Sequence, residues 1–85
     1  MRRAGEQALD ALESLLEQVR KQKSLSERKR GIFYSGSTPF LHFHEDPAGL
    51  FADLKVRDQW TRLRVSTKSE QRAFLSKLAA MAVKM

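Results

Sequence analysis

The chain has 85 residues, the size of one small domain, and its 41% hydrophobic and 31% charged residues are typical of a globular protein rather than a disordered one. It has no cysteine, which excludes disulfides and thiolate metal sites, and no apolar run of membrane or signal-peptide length, so we expect a single cytoplasmic domain over residues 1–85 with no membrane partner. The formal net charge of +6 means that an anionic partner such as a nucleic acid has to be considered.

An amphipathic helix is predicted for residues 6–21. Its acidic residues fall early and its basic residues fall late, which complements the helix dipole. The apolar positions follow the three-and-four spacing of one helix face: Ala8, Leu9, Leu12, Leu15, Leu16 and Val19.

Residues 22–31 are predicted to form an exposed, basic connection. Between Arg20 and Arg30 there are six basic residues and one acidic residue, Glu27, so this segment carries most of the net charge. It also contains two serines and ends at Gly31, as connecting segments often do. The segment is either a solvated connection or a second set of phosphate contacts for a nucleic acid.

A four-stranded antiparallel sheet is predicted for residues 32–66. Short runs rich in aromatic and β-branched residues, at 32–35, 40–45, 50–57 and 60–66, are separated by turn sequences short enough for hairpins. The sequence Asp46-Pro47-Ala48-Gly49 suits a type I turn, with Pro at its second position and Gly at its fourth. We expect consecutive strands to pair as a meander.

A second helix is predicted for residues 68–84. Thr67-Lys68-Ser69-Glu70 matches the capping box, in which the Thr hydroxyl and the Glu carboxylate each accept from an amide at the start of a helix. The expected fold is therefore α+β, in the order α-β-β-β-β-α, with two helices covering one face of a four-stranded meander sheet.

Strand alternation predicts which residues lie on the sheet face opposite the helices. They are Phe40, His42, His44, Phe51, Asp53, Lys55, Arg57, Trp60, Arg62 and Arg64. Counting from the turns predicts the cross-strand pairs His44–Phe51, His42–Asp53 and Phe40–Lys55, then Arg57–Trp60, Lys55–Arg62 and Asp53–Arg64. Asp53 would then lie between His42 and Arg64.

An open face with exposed aromatic side chains is expected to be covered or used. The first hypothesis is a homodimer that buries the aromatic residues between two sheets. The alternative is a single-stranded nucleic acid, with Phe40, Phe51 and Trp60 under the bases and arginines on the phosphates. We expect a binding protein rather than an enzyme, because there is no cysteine nucleophile, glycine-rich phosphate loop or nucleophile elbow, although a His42–Asp53 dyad could act as a base.

A metal site is the weaker interpretation of the two histidines. His42 and His44 project to the same side of a strand, and with Asp46 they could hold zinc or iron. The simpler expectation is that His42 pairs with Asp53 and His44 packs on Phe51. We therefore predict no metal and no cofactor.

The sequence from residue 40 to residue 53, followed by Trp60, Arg62, Arg64 and the capping box at residues 67–70, resembles that of small bacterial α+β proteins. The resemblance covers about the second half of the chain. It implies a bacterial, cytoplasmic origin and no particular activity.

Overall fold

A computed structural model of the chain describes residues 1–83. The predicted end of the second helix at Lys84 lies outside the described residues. In chain order the elements are β1 Arg2–Arg3, α1 Glu6–Ala11, α2 Glu13–Arg20, β2 Leu25–Lys29, β3 Ile32–Ser35, β4 Thr38–Asp46, β5 Gly49–Val56, β6 Gln59–Arg64 and α3 Lys68–Val83.

The predicted α+β class and the antiparallel meander are confirmed, but the sheet is larger than expected. Within residues 1–83 it has six strands rather than four, and five of them follow one another in the order β2-β3-β4-β5-β6. The sixth, β1, pairs with the end of β4 through Arg2–Glu45 and Arg3–His44, next to the part of β4 that pairs with β3. Two residues are too few for a periodic sequence pattern, so β1 was not predictable.

The prediction of a connection for residues 22–31 was wrong over its central part, which forms β2. Leu25, Ser26 and Glu27 pair with Ser35, Tyr34 and Phe33. Leu25 packs against the core, and Glu27 is half-buried on the same side. The strand has a single apolar residue among polar and charged ones, so its sequence shows no alternation typical of a strand. It is stabilised by ion pairs, which cannot be predicted from the sequence.

The predicted first helix has two parts, so residues 1–83 contain three helices rather than two. The break is at Leu12, whose φ of −98° and ψ of 5° lie outside the helical range. Hydrogen bonding continues across the break, because the Leu12 amide donates to Ala8 and the Leu12 carbonyl accepts from Leu16. The leucine stripe therefore stays on one side and is buried as predicted.

All three helices contribute to one hydrophobic core on a single face of the sheet. The buried residues are Leu9, Leu12, Leu15, Leu16, Val19, Phe33, Leu41, Phe43, Ala52, Leu54, Val65, Phe74 and Leu78. Phe43 and Phe74 join the sheet to α3, with their ring centroids 6.3 Å apart. Because side chains alternate along each strand, the intervening residues lie on the opposite, uncovered face.

The capping box at the start of α3 is confirmed. The Glu70 amide donates to the Thr67 hydroxyl at 3.1 Å, and the Thr67 amide donates to the Glu70 carboxylate at 3.0 Å. The Ser66 amide donates to the same carboxylate oxygen, and the Ser66 hydroxyl accepts from the Leu50 amide at 2.8 Å. The cap thus fixes α3 to the beginning of β5.

The pairing of β4 with β5 agrees with the prediction, but the pairing of β5 with β6 does not. His44–Phe51 and His42–Asp53 are formed. The two-residue turn between β5 and β6 is Arg57-Asp58, one residue earlier than expected, so the observed pairs are Lys55–Trp60, Asp53–Arg62 and Phe51–Arg64. The register moved by two residues, which leaves the side chains of β5 and β6 on their predicted faces, except that Arg57 is now in the turn.

The Arg57-Asp58 turn gives an opportunity to stabilise the fold. Both residues have positive φ, 53° and 67°, as in a type I′ turn, where Asn-Gly is strongly preferred. We expect the Arg57→Asn, Asp58→Gly double variant to raise the free energy of unfolding by about 1 kcal/mol, because it removes backbone strain. Urea unfolding measures this change. Gly36→Ala is the comparison, because it places a side chain at a φ of 64° and should therefore lower the free energy of unfolding. A double variant less stable than the parent would contradict the turn assignment.

Candidate functional site

The uncovered side of the sheet is the candidate site, and we call it the outward face. Its residues are Arg3, Ile32, Tyr34, His42, His44, Phe51, Asp53, Lys55, Trp60, Arg62 and Arg64. They come from five strands, and cross-strand partners share a face, so the meander itself brings them together. Eight of the ten residues predicted for a binding surface are in this group.

Asp53 on β5 and Arg62 on β6 are cross-strand partners that form a charged pair on the outward face. Arg62 Nε and Nη2 donate to the two carboxylate oxygens of Asp53 at 2.8 and 2.9 Å. Asp53 is only 6% exposed, whereas the Arg62 side chain is about half exposed. The guanidinium holds the pKa of the Asp53 carboxyl below its usual value, so the carboxylate is charged near neutral pH.

Two imidazoles extend this pair into a chain of four polar groups. His44 Nε2 lies 3.2 Å from Asp53 Oδ2 and 2.9 Å from His42 Nδ1. The two rings meet edge to face, with centroids 4.9 Å apart. The sequence expectation that His42 would pair with Asp53 holds for the backbone register, but the side chain that reaches the carboxylate is His44.

The environment of the two rings differs. Burial, and then the neighbouring His44, lower the pKa of His42, which favours its neutral form. Nδ1 of His44 is buried and finds no hydrogen-bond partner within residues 1–83. One ligand-capable atom each from His42, His44 and Asp53 lies within 4.8 Å of the others, which is the spacing of a metal-ligating group.

Aromatic and basic side chains surround this polar centre. Trp60 is 44% exposed, its ring lies 4.6 Å from that of His42, and Lys55 Nζ lies 5.4 Å from its centroid. On the other side of the centre, the Arg64 guanidinium lies 5.7 Å from the ring of Phe51. The alternation of cation and ring that the sequence predicted is therefore present on two strands.

Three predicted site residues lie elsewhere. Phe40 lies at a β-bulge in β4 and packs against the core, and because the β4–β5 pairing ends at Leu41–Leu54 the predicted Phe40–Lys55 pair is not formed. Arg57 is in the β5–β6 turn. Asp46 is outside the group of close ligand atoms, because its carboxylate accepts from the Ala48 amide in the β4–β5 turn. Asp53 takes the place predicted for Asp46.

The sequence analysis missed Arg3, Ile32 and Tyr34 on the outward face. Ile32 is paired with His42 and was recognisable from the alternation of β3. Arg3 is opposite His44 in the two-residue strand β1, for which the sequence carries no signal.

Two of the six basic residues between Arg20 and Arg30 form ion pairs within the protein. Arg20 donates to Glu13, Glu17 and Glu27 at 2.6 to 3.1 Å. Arg30 donates to Glu6, Asp10 and Glu13 at 2.8 to 3.1 Å. These two arginines join α1 and α2 to β2 and the turn after it. They are therefore not available to phosphates, which argues, for these two residues, against the phosphate-contact alternative for the basic segment.

The fold and the outward face define a small α+β protein with an open, basic and aromatic sheet surface. Comparison with known protein families, with curated proteins and with solved structures gave no match. Within residues 1–83, no helix has the length and apolar character needed to cross a membrane. The bacterial origin and cytoplasmic location expected from the sequence stay predictions.

Proposed function

We propose that the protein is a binding protein and that the ligand of the outward face is a single-stranded nucleic acid. The observation that carries this proposal is the exposed Trp60, which lies beside Lys55 and the histidines on a face whose freely exposed charges are basic. Such a surface offers a stacking partner for a base and a cation for its phosphate.

The distribution of charge favours an anionic partner. Asp53 is buried and neutralised by Arg62, and Asp46 is confined to the turn at the end of β4. Lys55 and Arg3 form no ion pair within the described chain, so their charges are free to act on a ligand. A sheet face of this sign attracts phosphate groups over a distance of about 8–10 Å at physiological salt.

Self-association through the same face is the second candidate, and the exposure of Trp60 on the edge strand β6 favours it. A two-fold dimer would place this patch against its own copy. Lys55 and Arg3, which form no ion pair within residues 1–83, would then approach like charges, a cost that a nucleic acid does not impose. For this reason the nucleic acid is placed first.

The test is the binding of a fluorescent, mixed-sequence single-stranded oligonucleotide to nucleic-acid-free protein at several salt concentrations. Trp60 is the only tryptophan, so stacking of a base on it should quench the intrinsic fluorescence of the protein. We expect Trp60→Ala to weaken binding by about 5- to 100-fold, the range for one stacked base. Lys55→Ala should reduce the salt slope by about 1, the contribution of one phosphate contact.

Arg72→Ala is the matched control, because Arg72 is an exposed cation on α3, which covers the other face of the sheet. It should leave the affinity within about twofold, as expected for a distant charge in salt. Sedimentation velocity without nucleic acid tests the second candidate. A dimer that Trp60→Ala dissociates, with no oligonucleotide binding, would replace the first proposal by the second, and a monomer that binds no oligonucleotide would overturn both.

A further inference from the structure

We propose that His42 Nδ1, His44 Nε2 and Asp53 Oδ2 form a binding site for one divalent transition-metal ion of the zinc type. This inference does not depend on the proposed function. It concerns the polar centre of the outward face, and it replaces the sequence-based ligand set, in which Asp46 was the carboxylate.

His44 Nε2 lies close to the lone pairs of two other groups, His42 Nδ1 at 2.9 Å and Asp53 Oδ2 at 3.2 Å. A ring nitrogen carries at most one proton, so a proton on His44 Nε2 would have to be shared between both lone pairs. A divalent cation in place of that proton would satisfy three lone pairs at once.

The spacing of the donor atoms is close to that of a zinc site. A tetrahedral zinc ion with bonds of about 2.0–2.1 Å separates its ligand atoms by about 3.3–3.4 Å. The two measured separations, 2.9 and 3.2 Å, need to widen by only a few tenths of an ångström. The third, between His42 and Asp53, is within 4.8 Å. This third separation therefore has to close by at most about 1.5 Å to reach the tetrahedral value.

The strands that carry the ligands form a rigid part of the sheet. The ligands belong to β4 and β5, strands in the middle of the meander, and His42 and Asp53 are direct cross-strand partners. Arg62 holds the Asp53 carboxylate with two hydrogen bonds. Arg62 occupies one of the two lone-pair directions on each carboxylate oxygen, so Oδ2 keeps one for a metal. Such an outer partner orients a metal-binding carboxylate.

The donor set selects the class of metal. Two imidazoles and one carboxylate suit Zn²⁺ and Co²⁺, whereas Mg²⁺ and Ca²⁺ prefer oxygen ligands throughout. Three protein ligands leave one tetrahedral position for water or an anion. The Arg62 charge lowers the affinity, which we expect to be weaker than that of a four-ligand structural site.

The chain itself provides a clean test, because His42 and His44 are its only histidines and it has no cysteine. Tag-free, nucleic-acid-free protein is titrated with Zn²⁺, and the ring nitrogens are followed by long-range proton–nitrogen NMR. We expect one Zn²⁺ per chain and large nitrogen shifts at Nδ1 of His42 and Nε2 of His44. This measurement needs no variant and reports the ligating atom directly. Unchanged nitrogen shifts at saturating Zn²⁺ would overturn the proposal.

Variants then separate the two possible carboxylates. Asp53→Asn should weaken Co²⁺ binding, followed by its visible absorption, at least about tenfold, as loss of an oriented ligand does. His44→Gln should do so at least as strongly, and its fold is checked by circular dichroism. Asp46→Asn is the control and should leave the affinity within about twofold. If Asp46→Asn weakens binding as much as Asp53→Asn, the assigned site is wrong. Metal binding and oligonucleotide binding are measured separately, so either proposal can fail alone.

Discussion

Gly31→Ala is expected to lower the free energy of unfolding by about 2–4 kcal/mol, a large part of the stability of a domain of this size. Gly31 is buried in the turn between β2 and β3, and its φ is 79°. A side chain there costs about 1–2 kcal/mol in backbone strain. The added Cβ would also lie 2.7 Å from Leu9 Cδ2, which adds about 1–3 kcal/mol of overpacking.

Gly36→Ala is a matched control for this prediction. Gly36 has a similar φ of 64°, but a Cβ there meets nothing within 4 Å, so only the backbone cost of about 1–2 kcal/mol should appear. The Leu9→Ala background should remove the contact cost and make the two glycine substitutions equal. The double-mutant cycle consists of the parent, Leu9→Ala, Gly31→Ala and the variant with both substitutions, each unfolded in urea. Equal costs of Gly31→Ala and Gly36→Ala in the parent would contradict the contact with Leu9.

The sequence predicts best those elements whose hydrophobic period and turn chemistry agree. Apolar and polar residues alternate clearly along β3, β4 and β5. The turn sequence from Asp46 to Gly49 determines the hairpin of β4 with β5, so the His42–Asp53 pair was predictable. The capping box at Thr67 likewise marked the start of α3 to the residue. At these positions the local turn and capping preferences agree with the overall fold.

Elements whose stability comes from distant partners were not predictable. β2 is held by Arg20 of α2, which binds Glu27 on the strand, and by Arg30 in the turn after β2, which binds Asp10 on α1. No local pattern predicts such pairing. The β5–β6 turn carries Arg57 and Asp58 at positive φ, although neither is glycine. Turn propensity does not favour Arg at such a position, so the turn was placed one residue too late and the register of β6 was misplaced by two residues.

The same register decides the chemistry of the site. With Arg64 opposite Asp53, as predicted, the carboxylate would have a different partner, whereas the structure places Arg62 there. Except for Arg57, the residues of β5 and β6 predicted for the outward face still lie on it, since a shift of two residues keeps each side chain on its face. The contacts within that face did not, and the metal-ligand group of His42, His44 and Asp53 appears only when side-chain positions are known.

The protein is expected to lose stability sharply as the pH falls from 4.5 towards 2. Hydrogen bonds from Arg30 and then Arg20 lower the pKa of Glu13 from 4.5 to about 2. Burial raises the pKa of Glu27, but hydrogen bonds from Arg20 and from the Gly31 amide lower it by more. The other charged groups that contact these arginines are the carboxylates of Glu6, Asp10 and Glu17.

The sign of the effect follows from proton linkage. The folded protein binds a proton at Glu13 less readily than the unfolded chain, so the contribution of Glu13 is complete above its unfolded value of 4.5 and is lost as the pH falls towards 2. The loss is larger than that of an isolated surface pair, because one carboxylate joins two arginines that connect the helices to β2 and the turn after it. Removing its charge weakens both connections together.

Glu13→Gln tests this prediction through the urea midpoint at pH 7, 4.5 and 2.5. The variant should be less stable than the parent at pH 7 and should lose less stability between pH 4.5 and 2.5, because the group that takes up the proton is gone. Asp58→Asn removes an exposed carboxyl in the β5–β6 turn and should leave the slope unchanged. Added salt should bring the parent and the Glu13→Gln variant closer at pH 7, since the network is partly exposed. Equal slopes for Glu13→Gln and the parent would show that other carboxylates control acid unfolding.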